Sequence, residues 1–273
     1  MGTQAEKAQR FRALHQDRAA FVIANAWDAG SARVLAGLGF EAIATSSGAM
    51  ANTMGRVDGN VTREEALAHA RAIVDATNLP VSADLERGFG DAPEDAAETI
   101  RRAAAVGLAG GSIEDASGDK GKPIYDLTHA VERVAAAAEA AHSFSFPFML
   151  TARAENYLHG RGELEDTIRR LQAFERAGAD VLFAPGLPDL AAVRAVCSAL
   201  SKPVNFMVGI RGKSFTVVEL QDAGVQRISL ATSLYRAAMA GLVVAAREIR
   251  EKGTFGYLDR ALASAELGRH MRD

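Results

Sequence analysis

Short β-type runs recur along this chain at residues 21–25, 42–45, 81–84, 110–114, 148–153, 181–184, 204–207 and 227–230, with helical segments between them. The intervening stretches are amphipathic or alanine-rich, such as "TREEALAHARAIVDA" and "AVERVAAAAEAAH". Thr62 and Glu65 stand at capping-box spacing, and Pro93 falls near a first helical turn. "AGLGF", "AVGLAGG", "RAGAD" and "DAGVQ" resemble glycine-bearing helix ends that lead into the next strand. Strict alternation of strand and helix implies a parallel sheet. Eight repeats in 273 residues point to an α/β fold of the (β/α)8 TIM type. Periodicity does not show closure, so an open doubly wound sheet is the alternative. One extra helix precedes the first strand and another is expected at 257–271. No low-complexity linker divides the chain, and residues 1–273 read as one domain.

Composition excludes several classes. Hydrophobic residues at 48% and charged residues at 24% suit a globular protein with a full core. A net charge of −3, with no basic stripe interleaved with aromatics, gives no sign of a nucleic-acid partner. No apolar run is long enough for a membrane span, and "MGTQAEKAQRF" lacks the apolar core of a signal peptide. The default expectation is cytoplasmic. The single cysteine, Cys197, excludes an internal disulfide and a cysteine-rich zinc site. Within "LAAVRAVCSAL" it reads as a packed helical thiol.

In a barrel of this type the active site lies at the C-terminal ends of the strands. The polar residues there form one set: Trp27 and Asp28, then Ser46, Ser47 and Gly48, then Asp84 and Glu86. Further along come Glu114 and Asp115, Arg153 and Glu155, Asn205, and Thr232 with Ser233; Asp58 lies in the long segment after the second strand. If the third strand stays extended, Asp84 and Glu86 project together. Their repulsion calls for a metal ion, an arginine or a lysine. Four acids, Asp58, Asp84, Glu86 and Glu114, would share the barrel mouth. An oxygen-rich, imidazole-poor set suits Mg²⁺ or Mn²⁺. Of the six histidines only His159 falls in a loop near a strand end, as a possible acid–base group. Arg153 is placed to grip a carboxylate or phosphonate; an ion pair with Glu114 or Glu155 is the competing role. Small residues in "TSSGAMA" let backbone N–H groups approach an oxyanion.

"DASGDKGKPIYD" reads as a flap at the mouth, with Lys120 or Lys122 able to reach an anionic substrate. "GIRGKSF" is not a phosphate loop, because Met207 stands where that pattern needs a glycine. "NVT" at 60–62 matches a glycosylation acceptor in a chain with no secretory feature.

In order, "TSSGAMA", "DLERGFGD", "SIEDAS", "TARAENYL" and "ADVLFAPGLPD" resemble the isocitrate lyase/phosphoenolpyruvate mutase superfamily. The resemblance implies a barrel whose last helix is exchanged between subunits in a homodimer or homotetramer. It also implies Mg²⁺ and small anionic 2-oxo acids, with C–C or C–P bonds made or broken through an enolate. On the matching motifs Asp84 is the direct metal ligand, and Asp58, Glu86 and Glu114 hold metal-bound waters. Ser47, Gly48 and Ala49 line the oxyanion site and Arg153 binds the substrate carboxylate. Arg153, Ser47, Gly48 and Glu114 are thus the expected catalytic groups. Trp27, Ser46, Asn205 and Lys120 complete the expected substrate-binding set.

Three departures narrow the reaction. The Lys-Lys-Cys-Gly-His flap of the isocitrate and methylisocitrate lyases is replaced by "ASGDKGKP", without the acid–base cysteine. Residues 116–125 hold no asparagine of the kind the mutase flap uses. Glu86 stands for the usual second aspartate. The expectation is a Mg²⁺-dependent carbon–carbon lyase of the decarboxylase kind, with oxaloacetate the simplest substrate. C–P hydrolysis of phosphonopyruvate-like compounds, or an inert 2-oxo acid binding protein, is the alternative.

Overall fold

A computed structural model describes residues 2–17 and 19–271. Helix α1 (Gln4–Gln16) leads into β1 (Phe21–Asn25), α2 (Ala29–Gly37), β2 (Ile43–Ala44), α3 (Ser47–Thr53) and α4 (Arg63–Ala76). Then follow β3 (Val81–Asp84), α5 (Pro93–Ala105), β4 (Gly110–Glu114), α6 (Leu127–His142), β5 (Met149–Arg153) and α7 (Leu164–Arg176). The last third runs β6 (Val181–Phe183), α8 (Leu190–Ser198), β7 (Val204–Met207), α9 (Val217–Asp222), β8 (Arg227–Ser229), α10 (Ser233–Lys252) and α11 (Ser264–His270). All strands pair in parallel and in chain order, and β8 closes on β1 through Phe21–Arg227, Val22–Ile228 and Ile23–Ser229. Closure removes the open-sheet alternative. Among the described residues no helix is long and apolar enough to cross a membrane.

Local chemistry explains the elements. Thr62 and Glu65 satisfy each other's backbone N–H groups at the start of α4, and Pro93 opens α5 where its missing N–H is harmless. Gly178 and Gly224, at φ 106° and 96°, end α7 and α9 in a left-handed backbone that a side chain would strain. The apolar core fills the space between barrel and helices: Leu67, Ile73, Ile100, Phe148 and Leu150 on one side, Leu171, Phe174, Leu182 and Val196 on the other.

The barrel interior differs from the usual layers of branched apolar residues. Asn25, Ser82, Ser112, Asn205, Arg227 and Ser229 line it. Beneath them α1 plugs the strand starts. Phe11 and His15 are buried, and their rings meet Phe21 edge-on with centroids 6.4 and 5.0 Å apart. His15 Nδ1 lies 2.8 Å from the Phe11 carbonyl, which can only accept, so Nδ1 carries the proton and Nε2 faces Arg227 Nη1 at 3.4 Å as an acceptor.

Two expectations need correction. The helix expected at 257–271 is a 3₁₀ turn, Gly256–Arg260, and the separate helix α11, because Ala261 and Ala263 take extended backbone between them. The strand-like alternation that would align Glu86 with Asp84 stops at Asp84, since Glu86 turns at φ 50°.

Burial, with Arg227 alongside, lowers His15 to about 3. Its unfolded counterpart titrates near 6.5, so the unfolded chain binds the extra proton between the two values. Stability on this account is intact above 6.5 and declines as pH falls toward 3. His15→Gln should flatten the acid limb of unfolding free energy by up to about 1.4 kcal/mol per pH unit relative to the parent. Urea denaturation from pH 4 to pH 7 checks it; parallel curves for the two proteins would refute the assignment.

Candidate active site

Strands β3, β4 and β5 end in Asp84, Glu114 and Arg153, and the parallel register sets Asp84 beside Ser112 and Glu114 beside Arg153. Neighbouring strand ends therefore bring acid and guanidinium together. Arg153 Nη1 lies 3.0 Å from Asp84 Oδ1 and 3.3 Å from Glu114 Oε2. Its Nε and Nη2 donate to Glu155 Oε1 at 3.0 and 2.7 Å. The guanidinium also sits 5.1 Å from the centre of the Phe183 ring. The competing role for Arg153, an ion pair with Glu114 or Glu155, is what the structure holds, with Asp84 added.

Asp84 is the most heavily bonded acid. Its Oδ2 accepts from the Ser47 backbone at 3.3 Å and the Ser47 hydroxyl at 3.0 Å, and Oδ1 accepts from Arg153 and the Glu86 N–H. Burial raises Asp58, and the Asp84 charge adds to the rise. Burial, then Asp84 and Asp58, pushes Glu86 up to about 7, and its Oε1 is buried with no hydrogen-bond partner. Burial holds Glu114 well above the ordinary carboxylate range despite Arg153. These shifts have one origin: carboxylates share a dry space with too little positive charge. Among the described residues, no three His, Cys, Asp or Glu side chains are gathered tightly enough to hold a metal ion by themselves.

Behind Arg153 stands a second network. Asp115 Oδ1 accepts the Glu155 N–H at 2.8 Å, and Asp115 Oδ2 pairs with Arg170 at 3.1 Å. Arg170 also holds Asp166 at 3.0 Å and the Tyr125 carbonyl at 3.0 Å. Helix α7 thereby fixes the backbone that carries Glu155, and Glu155 fixes Arg153.

A cavity of about 250 Å³ opens above and inside the barrel. Of the residues expected from sequence, Ser46, Ser47, Gly48, Asp58, Asp84, Arg153 and Asn205 line it. A methyl group on Gly48 would approach Asp58 Oδ2 and Thr232 Cγ2 to 3.2 Å, so only glycine leaves this wall open. Glu114 reaches the site through Arg153, and Glu86 lines a neighbouring cleft. The Ala49 N–H is directed at the Ser46 hydroxyl as a helix cap, 3.4 Å away, rather than at the cavity. Trp27, His159 and Lys120 are not in its walls: Trp27 packs against Tyr235, and His159 and Lys120 are exposed. Lys122 pairs with Asp126, four residues on. Cys197 is half-buried in α8, with its thiol pushed up to about 12 by burial.

Sequence reasoning missed Arg227, which lines the cavity floor, and the Asp115–Arg170 pair. An arginine opening an otherwise apolar strand, in "VQRISL", was the available signal for the first.

Residues 11–250 match the family model described as phosphoenolpyruvate phosphomutase. The chain belongs to the isocitrate lyase/phosphoenolpyruvate mutase superfamily. It is 30% identical over 261 residues to a 2-methylisocitrate lyase of Halalkalibacterium halodurans, covering 92% of this chain and 85% of that one. A Burkholderia cenocepacia J2315 structure described as a lyase/mutase superposes with a TM-score of 0.97 at 50% identity, covering 99% and 97% of the two chains. The structure of 2,3-dimethylmalate lyase gives 0.87 at 28% identity, covering 99% and 95%.

Removing one partner of a buried ion pair leaves the other charge stranded. Arg170→Met should therefore lower unfolding free energy by about 3–5 kcal/mol, and Asp115→Asn in the same chain should recover part of it. Urea midpoints of both variants check this; a loss below about 1 kcal/mol, the level of an exposed pair, would contradict it.

Proposed function

We propose that this protein is a Mg²⁺-dependent lyase that cleaves a C–C bond of a small 2-oxo (di)carboxylic acid, with oxaloacetate decarboxylation the simplest case. The observation behind this reading is the pairing of Asp84, Glu114 and Glu155 with Arg153, next to Asp58 and Glu86, whose carboxyls burial and the Asp84 charge push upward. An all-oxygen donor set with surplus negative charge and an orphaned Glu86 Oε1 fits a hard divalent cation. Mg²⁺ keeps several of its waters, so these acids need not close into a cage. Mn²⁺ suits the same donors. Asp84 would hold the ion, with Asp58, Glu86 and Glu114 bonding its water shell. When bound, the ion supplies positive charge that favours anionic substrate oxygens.

The chain's own residues do the rest. Ser46 and Ser47 line the cavity, the Ser47 hydroxyl steadying Asp84, and the bare Gly48 backbone lets a substrate oxygen come close. Arg153, held rigid by Glu155, orients a carboxylate from the side. In oxaloacetate the C3–C4 bond breaks, CO₂ leaves, and the electron pair is held as an enolate until C3 takes a proton from water, giving pyruvate. The apolar wall of Leu158, Phe183 and Met207 limits the water present during this step.

Pyruvate release from oxaloacetate should exceed the spontaneous rate with Mg²⁺ and return to it with EDTA. Arg153→Ala should lower kcat/KM at least 100-fold, since on this reading its guanidinium orients the substrate carboxylate. Absence of any metal-dependent excess rejects the reading; phosphate release from phosphonopyruvate would replace it with C–P hydrolysis. Thermal stabilisation by oxalate plus Mg²⁺ without turnover of either would indicate a binding protein.

We also propose that the chain works as a homodimer or homotetramer. Helix α10 buries none of its own residues, and it exposes Leu242, Val243 and Val244. A second copy, exchanging this helix as the superfamily resemblance implies, would cover them. Sedimentation should give a multiple of the 28.8 kDa chain, and Leu242→Glu should shift it toward monomer.

A further inference from the structure

The cavity does not end at the acids. It continues down the barrel axis past Ser82, Ser112 and Ser229 to Arg227, at the first position of β8. Arg227 is 5% exposed, and each of its hydrogen-bond partners is neutral. Nε donates to Asn205 Oδ1 at 2.8 Å, Nη2 to the Thr151 hydroxyl at 2.9 Å, and Nη1 faces the unprotonated Nε2 of His15 at 3.4 Å. Among the described residues no ion pair joins it to a carboxylate, in contrast to Arg153, which has three within 3.3 Å. A guanidinium withdrawn from water without a counter-charge carries a large desolvation penalty. Such a group is retained where something anionic comes to meet it.

We propose that Arg227, with Asn205 and Ser229, forms a second carboxylate subsite at the cavity floor, which receives the carboxylate remote from the reacting carbon. The neighbouring geometry supports this. Arg227 can only donate, so Asn205 must turn Oδ1 toward it, and Nδ2 becomes a donor on the other side. Nδ2 donates to Ser229 Oγ at 2.9 Å, and both residues line the cavity beside Arg227. The walls leading down are hydroxyl-bearing, as a carboxylate that sheds its water requires. Among the described residues lining this cavity, the Arg227 guanidinium is also the only cationic group besides Arg153. The site therefore selects acids with two carboxylates over acids with one.

This inference rests on the cavity being the substrate site, but not on which bond is cleaved. The probes are succinate and acetate, titrated calorimetrically against the full-length protein without metal in a low-chloride buffer. Succinate should bind at least 10-fold more tightly than acetate, and Arg227→Met should abolish that preference. The same variant should still bind oxalate plus Mg²⁺ within 3-fold of the parent, which locates the loss at the floor. In anion-free buffer Arg227→Met should melt no lower than the parent, whereas a purely structural arginine would lower Tm on removal. Ser229→Val, which leaves the charge in place and crowds the path to it, gives a second arm and should weaken succinate selectively. A succinate preference that survives both substitutions, or equal binding of the two acids by the parent, overturns the proposal. Lack of turnover with oxaloacetate would remove the lyase reading and leave this result unaffected.

Discussion

Three carboxylates paired to one guanidinium, with Asp58 and Glu86 close enough to feel the charge of Asp84, form an arrangement that cannot stay fully ionised in isolation. Two like charges about 4 Å apart repel by roughly 4 kcal/mol at an effective dielectric of about 20. A hydrogen bond offsets only about 1 kcal/mol of that. The upward shifts of Asp58, Glu86 and Glu114 are the electrostatic record of this imbalance. Either protons or an added cation can resolve it. The barrel holds the acids in place by fixing them at the ends of different strands.

Position matters as much as charge. Arg153 is packed over Phe183, bridged to Glu155 and flanked by Asp84 and Glu114, so it has little freedom to swing. Glu155 takes its own place from Asp115, and Asp115 from Arg170 on α7. A helix on the outside of the barrel thus sets the angle of a guanidinium at its mouth. Backbone strain is concentrated in the same region: Glu86, Phe89 and Ala231 adopt positive φ without being glycine. Glu86 and Phe89 lie in the turn after β3, and Ala231 lines the cavity. Such conformations persist only where surrounding contacts enforce them.

The barrel and its strand-end acids were legible because their signals are local. Alternating strands and helices, helix caps and the order of five short motifs all survive in one-dimensional text. What was lost depended on contacts between distant segments. Glu86 was read as continuing a strand, but a turn at φ 50° sends it toward a neighbouring cleft. Trp27 and Lys120 were placed at the substrate by nearness to a strand end and by charge. Trp27 instead meets Tyr235 of α10, and the "GDKGK" flap leaves Lys120 exposed. Arg170 and Asp115 are 55 residues apart, and no periodicity links them. The terminal segment misled for another reason: an apolar, alanine-bearing run has helical propensity, yet the extended backbone of Ala261 and Ala263 breaks it into a 3₁₀ turn and a short helix.

The polar interior also changes the meaning of the N-terminal helix. A barrel filled with branched side chains needs no floor, since its own layers exclude water. Here serines, asparagines and an arginine occupy the axis, so the bottom must be sealed from outside. Phe11 and His15 of α1 do this against Phe21. His15 is suited to the task because its Nδ1 proton is committed to the Phe11 carbonyl, which leaves Nε2 as a neutral acceptor facing Arg227. A lysine or arginine in its place would set two cations against each other, and an acid would neutralise the guanidinium. Neutral histidine holds Arg227 in position and leaves its charge available to the cavity. The helix that precedes the barrel therefore fixes the depth of the cavity and the sign of the charge at its base.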